Sequence, residues 1–380
     1  MGKKTHIHIT QEGIMSYTNT KTILAVAREH HFAHGAFNVN SLSQARSVIE
    51  ACALTRTAAI IQVAEPGLAF LGGNPDFLHG TPEEKALGAK RIADYVIALA
   101  KEAPIPVALH LDHGRSFETA KACVDAGFNS VMIDGSALPY EENAALAKKV
   151  VEYAHPRGVS VEAELGVLAG REDHVFAASS TYTNPITAVR FIQDTGADLL
   201  AISYGTKHGA VKGDDVKLRK EIVIATMENF LHEGIDAVLV SHGSSLVPPY
   251  IIREINALGG KVSGKGIPVE QLQEVIPLGI SKINMDTDIR LATTRNIREY
   301  FAADPRRKQG SKIWPLMEEK PESFEYRYYL RDYIEGLDSG RITSPEMEAI
   351  APLMDLGVKE IVTAANAYFG CFGDADLIGK

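Results

Sequence analysis

Cysteine is scarce in this sequence, with 3 in 380 residues. Cys52, Cys123 and Cys371 are far apart, which argues against a disulfide framework and against a zinc site built from thiolates. No uncharged apolar run approaches the roughly 18 residues that a membrane-spanning helix needs. The first ten residues, MGKKTHIHIT, lack the apolar core of a secretory signal. We therefore expect a cytoplasmic protein with no membrane partner.

Basic charge is also in deficit, because 39 lysines and arginines face 48 acidic residues, for a formal net charge of −9. This balance argues against nucleic acid as a partner, since binding to a phosphate backbone needs a basic face. A small phosphorylated ligand is not excluded, because a few local donors can hold it.

Eight short apolar runs rich in β-formers alternate with amphipathic stretches of helical period. This alternation predicts a parallel sheet covered on both faces, and eight units are the number that closes a (β/α)8 barrel. A doubly wound open sheet is the structural alternative, disfavoured because no GxGxxG follows any run. The runs cover 35–40, 58–64, 106–114, 130–136, 160–166, 199–205, 237–243 and 282–288.

The predicted fold class is thus α/β, a (β/α)8 TIM barrel with a C-terminal helical extension. Residues 1–20 are expected to form a solvated N-terminal arm, 21–305 the catalytic barrel, and 306–380 helices that pack on the barrel. Segment 167–185 has no period, and we expect a long loop that serves as an active-site lid. Segment 304–354 is rich in charge and aromatic residues and suggests an appended pair of helices.

Three histidines follow three separate predicted strands: His113, His208 and His242. The carboxyl ends of barrel strands meet at one mouth, where barrel enzymes place their chemistry. One such histidine could simply cap a strand, but three together favour a site for zinc or a similar ion. Asp112 lies beside His113 as a base or as an orienting group, whereas Glu172 is either a mobile acid or base or a solvated loop charge.

Glycine-rich turns follow the sixth and seventh predicted strands, in segments 205–213 and 243–245. Backbone N–H groups in such turns can bind a phosphate, and Lys212 and Ser245 would add a charge and a hydroxyl donor. Glycine after a strand is also ordinary turn chemistry, so a plain turn is the alternative interpretation.

Five motifs in this order, HLDHG, VEAELG, YGTKHGAVKG, SHGSS and INMDTDIRLA, resemble those of the class II, metal-dependent fructose-bisphosphate (ketose-bisphosphate) aldolases. The resemblance runs from about residue 20 to about 305 and returns in the final stretch, AYFGCFGDADLIGK. It implies a lyase that cleaves a ketose phosphate through a metal-stabilised enediolate. The default substrate is fructose 1,6-bisphosphate, cleaved reversibly to dihydroxyacetone phosphate and glyceraldehyde 3-phosphate. A homodimer or homotetramer is also expected.

Carried over by position, the resemblance assigns each site residue a role. The catalytic zinc ligands would be His113, His208 and His242, with Glu164 and Asp134 at an accessory site for a second divalent or a monovalent cation. Proton transfer would fall to Asp112 at the aldol carbon and hydroxyl, and to Glu172 on the ketone half. Substrate and phosphate binding would fall to Gly209, Lys212, Gly243, Ser245, Asn284, Asp286, Thr287 and the distal-phosphate Arg290, with Arg306 or Arg307 lent across a dimer.

Several residues depart from the family pattern and leave the substrate open: Ala64, Glu65, Leu246 and the segment 308–355. Glu65 in particular is expected to repel a phosphate, which admits another phosphorylated ketose, such as tagatose bisphosphate or a modified sugar phosphate. Other classes remain as alternatives: a zinc hydrolase, disfavoured because the first strand lacks His-x-His; a Schiff-base aldolase using Lys207; and a non-catalytic barrel for binding or assembly.

Overall fold

The computed structural model describes residues 16–172, 175–177, 179–212, 216–333 and 344–378. Eight parallel strands close into a barrel in which each strand pairs with its neighbours along the chain and the last pairs with the first. This confirms the predicted fold class, and every predicted run overlaps one barrel strand. The barrel strands are β1 His34–Asn38, β2 Ala59–Ala64, β3 Val107–Gly114, β4 Ser130–Ile133, β5 Ser160–Leu165, β8 Leu199–Ile202, β9 Val238–Ser241 and β10 Ile280–Met285.

Helices surround the barrel, and several begin at side-chain caps that satisfy the exposed N–H groups of the first turn. Thr81 and Glu84 form a capping box at the start of α4, and Ser116 caps α5. The helices are α1 Thr20–Glu29, α2 Leu42–Leu54, α3 Glu65–Leu71, α4 Pro82–Ala100, α5 Phe117–Ala126, α6 Tyr140–Ala154, α7 Pro185–Thr195, α8 Lys220–His232, α9 Pro249–Ala257, α10 Val269–Val275, α11 Thr287–Ala303, α12 Trp314–Glu319, α13 Tyr326–Leu330 and α14 Pro345–Phe369.

Helix α1 closes the amino-terminal end of the barrel. Its buried Ile23, Leu24 and Ala27 share one apolar cluster with inward-facing strand residues. Just before the helix, the backbone N–H of Thr18 donates to the carbonyl of Val107. Residues 1–15 lie outside the described part of the chain, but 16–20 pack against the barrel rather than standing in solvent. The carboxyl end of the barrel is therefore the end left for a site.

The segment 167–185 differs from the expected loop. It contains a short antiparallel hairpin, β6 Gly170–Glu172 and β7 Val175–Ala177, which pairs Gly170 with Ala177. The two strands are too short to show a period in the sequence, which explains why a loop was predicted. Residues 173, 174 and 178 lie outside the described structure.

The C-terminal part also differs from a simple helical pair. Two short helices, α12 and α13, are followed by the 25-residue α14, which packs on α11 and α2. An apolar cluster beside α11 joins Phe301 to Met317, Tyr329 and Ile350. The long helix extends beyond 354 because its apolar face continues to Phe369 against the barrel helices.

The three cysteines occupy separate places: Cys52 on α2, Cys123 on α5 and Cys371 after α14. All three are buried and free. Burial raises the pKa of Cys52 to about 12 and the pKa values of Cys123 and Cys371 well above their usual range. Among the described residues, no helix is both long and apolar enough to cross a membrane.

Candidate active site

The three predicted imidazoles meet at the carboxyl end of the barrel. The ring centroid of His113 lies 4.5 Å from that of His242 and 5.4 Å from that of His208, and the last two are 6.5 Å apart. His113 lies near the end of β3, His242 directly follows β9, and His208 lies in the turn after β8. The barrel thus brings together side chains that are 34 to 129 positions apart in the sequence.

A distortion at the end of β3 directs both Asp112 and His113 to this mouth. Adjacent residues of a regular strand point to opposite faces. Here the pairing register of β3 with β4 shifts between Leu111 and Gly114, and His113 has a φ of 45°. A non-glycine residue in the left-handed region is strained, and such strain is often found at functional sites.

The backbone of His208 is held between two glycines. Its N–H donates to the carbonyl of Ala169 at 2.9 Å. A Cβ at Gly170 would lie 2.4 Å from the carbonyl oxygen of His208, and a Cβ at Gly243 would lie 2.6 Å from that of Lys207. Both glycines also have positive φ, at 113° and 61°. Only glycine combines this conformation with so close an approach.

Behind two of the imidazoles lies a carboxylate. Asp134 Oδ2 is 3.0 Å from His113 Nδ1, and Glu162 Oε1 is 2.7 Å from His242 Nε2. Each carboxylate accepts from one ring nitrogen and leaves the other nitrogen facing the centre. Those two remaining nitrogens, His113 Nε2 and His242 Nδ1, are 2.8 Å apart.

Each carboxylate is in turn paired with a cation: Arg115 Nη1 lies 2.5 Å from Asp134 Oδ2, and Lys282 Nζ 2.9 Å from Glu162 Oε2. Burial alone would raise the pKa of Asp134, but the hydrogen bond from His113 and the charges of His113 and Arg115 hold it well below its usual value. Lys282 and His242 do the same for the pKa of the buried Glu162. Both carboxyls are therefore ionised.

This arrangement fits a metal ion. Two unprotonated imidazole nitrogens that face each other repel, and a shared cation removes that repulsion. Ligand atoms of Asp112, His113 and His242 lie within 4.8 Å of one another, as do those of His113, Asp134 and Glu164. Both groups are buried, and they share His113.

Asp112 is oriented by two amides. Asn38 Nδ2 donates to Asp112 Oδ2 at 2.9 Å, and Asn284 Nδ2 donates to Asp112 Oδ1 at 3.0 Å. Gln62 in turn donates to Asn38 Oδ1 at 2.6 Å. Asn38 and Gln62 escaped the sequence analysis because single amides in apolar strands carry no motif.

Beside the imidazoles lies a cavity of about 420 Å³ that contains most of the predicted substrate-binding residues. The residues that line it as expected are Asp112, His208, Gly209, Lys212, Gly243, Ser245, Asn284, Asp286, Thr287 and Arg290. The side chain of Glu172 lies outside the described part of the structure, although its backbone is in β6.

Part of the cavity lining is the glycine-rich cradle of Gly209, Gly243 and Ser245. Lys212 is buried there and donates to the carbonyl of Lys207. Asp288 lies under this cradle and accepts from the N–H of Val247, whose φ is 47°. Burial raises the pKa of Asp288 to about 6.

The cavity lining also contains two charged residues that the sequence analysis missed, Glu325 and Arg327. Glu325 Oε2 lies 2.7 Å from both Arg290 Nη1 and Arg327 Nη2, while Asp286 also accepts from Arg290. Burial opposes ionisation of Glu325, but Arg327 and Arg290 together lower its pKa to about 2. Glu325 and Arg327 belong to the atypical segment 308–355, where the pattern FEYRYYL was the only signal. Phe77, Leu78, Ser323 and Phe324 complete the lining.

Three charged residues singled out in the sequence lie outside the cavity lining. Glu65 lies away from the cavity lining, where it accepts from Lys85 Nζ at 2.5 Å and from the N–H of Arg115 at 2.7 Å. The expectation that Glu65 repels a bound phosphate was therefore wrong. Arg306 is exposed and pairs with Asp304, and Arg307 donates to the carbonyl of Tyr300, so neither lines the cavity of its own chain.

A closed (β/α)8 barrel with an imidazole and carboxylate centre beside an anion cradle defines a metal-assisted barrel enzyme. Comparison with known proteins gives the family. Residues 18–337 match the family described as fructose-bisphosphate aldolase class-II. The chain is 39% identical over 322 residues to the fructose-bisphosphate aldolase of Treponema pallidum, covering 80% of this chain and 93% of that one. It is 38% identical over 357 residues to that of Giardia intestinalis, covering 93% and 95%.

Solved structures agree on the fold. A fructose-bisphosphate aldolase from Campylobacter jejuni matches with a TM-score of 0.66 at 23% identity, covering 95% of this chain and 98% of that one. The YdjI aldolase from Escherichia coli K12 matches with a TM-score of 0.64 at 24% identity, covering 94% and 99%. The chain belongs to the class II fructose-bisphosphate aldolase family and is a metal-dependent aldolase, a carbon–carbon lyase.

Proposed function

We propose that this aldolase uses zinc to cleave fructose 1,6-bisphosphate reversibly into dihydroxyacetone phosphate and glyceraldehyde 3-phosphate. The observation that carries the proposal is the cavity itself, which lies beside the imidazole cluster and has three cationic side chains in its lining: Lys212, Arg290 and Arg327. Several cationic groups in one cavity suit a substrate that carries two phosphates.

His113, His208 and His242 would hold the zinc, with Glu164 and Asp134 available for an accessory cation. A divalent ion bound there supplies positive charge to the ketone oxygens when the carbon–carbon bond breaks. Asp134 also orients His113, because its carboxylate accepts from the ring Nδ1.

Proton transfer falls to two carboxylates. Asp112, fixed by Asn38 and Asn284, accepts the proton of the substrate hydroxyl as the bond to the aldehyde carbon breaks. Glu172, on the hairpin beside His208, returns a proton to the ketone half. Each carboxylate thereby serves one half of the substrate.

The two phosphates would bind to different groups. N–H groups of the turns at Gly209 and Gly243, with the Ser245 hydroxyl and the Lys212 ammonium, suit the phosphate on the ketone side. Asn284, Asp286 and Thr287 also line the cavity and would contact the rest of the substrate. Arg290 and Arg327 suit the distal phosphate because a guanidinium binds phosphate through two parallel hydrogen bonds.

A cleavage assay tests the proposal. The purified protein is given fructose 1,6-bisphosphate, tagatose 1,6-bisphosphate and fructose 1-phosphate, before and after removal of metal by a chelator, and again with zinc restored. We expect fructose 1,6-bisphosphate to give the highest kcat/KM, loss of activity in chelator and recovery with zinc. A higher kcat/KM for another ketose would assign that ketose as the substrate. Absence of cleavage of all three by the zinc-loaded protein would refute the proposed function.

We infer a homodimer or homotetramer in solution, in keeping with the family resemblance. Arg306 and Arg307 lie outside the cavity of their own chain and are the candidates for a group lent to a partner subunit. Sedimentation equilibrium measures the mass, and the Arg306→Met and Arg307→Met variants test whether either residue raises kcat/KM across an interface.

A further inference from the structure

A lysine and a glutamate form an ion pair inside the barrel. Lys282 on β10 and Glu162 on β5 both have no exposed side-chain surface, and Lys282 Nζ lies 2.9 Å from Glu162 Oε2. A buried pair stabilises a protein little, because desolvation offsets the attraction between the two charges. A buried pair at this position therefore calls for an explanation other than stability.

The ammonium of Lys282 has three acceptors, one for each of its N–H groups. Besides Glu162 Oε2, these are Asn284 Oδ1 at 2.9 Å and His110 Nε2 at 3.4 Å. Burial and the charge of Lys282 hold the pKa of His110 well below its usual value, so this imidazole is neutral. Its Nδ1 lies 2.7 Å from Ser130 Oγ and can donate there, which leaves Nε2 as an acceptor.

From this ammonium, two chains of hydrogen bonds reach the active site. Along the first, Glu162 Oε1 accepts from Nε2 of His242 at 2.7 Å. Along the second, Asn284 Nδ2 donates to Asp112 Oδ1 at 3.0 Å. Because Lys282 binds the oxygen of the Asn284 amide, the nitrogen of that amide must point to Asp112.

We propose that Lys282 is a positioning residue that fixes the His242 imidazole and the Asp112 carboxylate relative to each other, acting through Glu162 and Asn284. The proposal rests on the proposed function, in which His242 binds the metal and Asp112 transfers a proton. One cation thereby aligns the metal-binding group with the proton-transfer group.

Lys282→Met tests the proposal, because methionine keeps much of the length of the side chain and removes its charge and donors. We expect zinc affinity, measured by competition with a chromophoric chelator, to fall about 10- to 100-fold, as is typical when a group behind a metal ligand is lost. We also expect kcat to fall, while KM for fructose 1,6-bisphosphate stays within about twofold, since most of the binding energy comes from the phosphate contacts.

A second variant separates positioning from folding. Lys282→Met alone leaves Glu162 as an unpaired buried charge, whereas Glu162→Gln together with Lys282→Met removes both charges. We expect the double variant to regain the thermal unfolding midpoint of the wild type but to remain at least about tenfold impaired in zinc affinity and kcat. If Lys282→Met does not fold, the double variant carries the test.

Lys85→Met is the matched control. Lys85 also pairs with a buried glutamate, Glu65, at 2.5 Å, but outside the cavity lining. We expect this control to keep wild-type zinc affinity and kcat. Wild-type zinc affinity and kcat in Lys282→Met, or recovery of both in the double variant, would overturn the proposal. Failure of the wild type to cleave any ketose phosphate would refute the proposed function instead, while the zinc titrations would still report on His242.

Discussion

Replacing Gly243 with alanine tests how closely the His208 segment is held against the end of β9. The new Cβ would lie 2.6 Å from the carbonyl oxygen of Lys207 and 3.1 Å from the amide nitrogen of His208. Ordinary van der Waals contact begins at 3.4 Å, so one of the two backbones must move by about 0.8 Å. The neighbour is backbone, which cannot rotate away as a flexible side chain would.

That displacement would fall on a proposed metal ligand. A misplacement of about 1 Å in a catalytic site can cost roughly 100-fold in rate, which corresponds to about 2.7 kcal/mol. We therefore expect Gly243→Ala to lower kcat by about two orders of magnitude and to weaken zinc binding. Placing alanine at a φ of 61° adds a separate cost of about 1–2 kcal/mol to folding.

Gly234→Ala is the matched control, because Gly234 has a φ of 66° and nothing within 4 Å of the position of its Cβ. Alanine at position 234 therefore carries the cost of a positive φ without a steric clash against neighbouring atoms. Steady-state cleavage of fructose 1,6-bisphosphate, chelator competition for zinc and thermal unfolding are measured for both variants. Equal kcat and equal zinc affinity in the two variants would show that the close approach at Gly243 does not hold His208 in place.

Three further substitutions give distinct outcomes. Asp112→Asn should keep zinc content, measured by elemental analysis, and lower kcat about 100- to 10,000-fold, because it removes a proton acceptor; retained kcat would exclude Asp112 as that group. Arg327→Met should raise KM for fructose 1,6-bisphosphate more than for fructose 1-phosphate, and an equal effect on both would place Arg327 away from the distal phosphate. Asp288→Asn tests pH dependence, because burial raises the pKa of Asp288 to about 6 in the folded protein. The neutral carboxyl therefore favours the folded state at low pH. The free energy of unfolding should fall by up to about 3 kcal/mol as the pH rises from about 4 to 6. The variant should lack this part of the decline in urea unfolding between pH 4 and 7, and an unchanged decline would contradict the raised pKa.

Much of the barrel could be predicted from the sequence because its strands are nearly continuous apolar runs. A strand buried on both faces needs such a run, because both sets of alternating side chains are apolar. In the helix that follows each strand, apolar residues recur instead with the helical period of 3.6 residues. The hairpin at Gly170–Glu172 and Val175–Ala177 was missed, because two strands of three residues leave no periodic pattern. The appended pair of helices was predicted to end at 354, whereas α14 continues to Phe369 because its apolar face packs on the barrel helices.

At the candidate site, the sequence correctly predicted that side chains at the ends of different strands lie close together. His113, His242 and Asn284 are of this kind, since the fold alone brings strand ends together. Sequence reasoning failed where a side chain reaches the cavity from a distant segment, as Arg327 does from α13. It also misjudged Glu65, whose side chain is turned away by Lys85, a partner 20 positions along the chain.

The three buried thiols can report local unfolding of the helices and loops around the barrel. Cys52, Cys123 and Cys371 lie on different elements, and each is buried with a raised pKa. A thiol reagent attacks the thiolate, so labelling requires both exposure and ionisation. The rate at which each cysteine is labelled therefore reports how often its own part of the shell around the barrel opens. Mass spectrometry can then follow three regions separately, without introducing a single foreign residue.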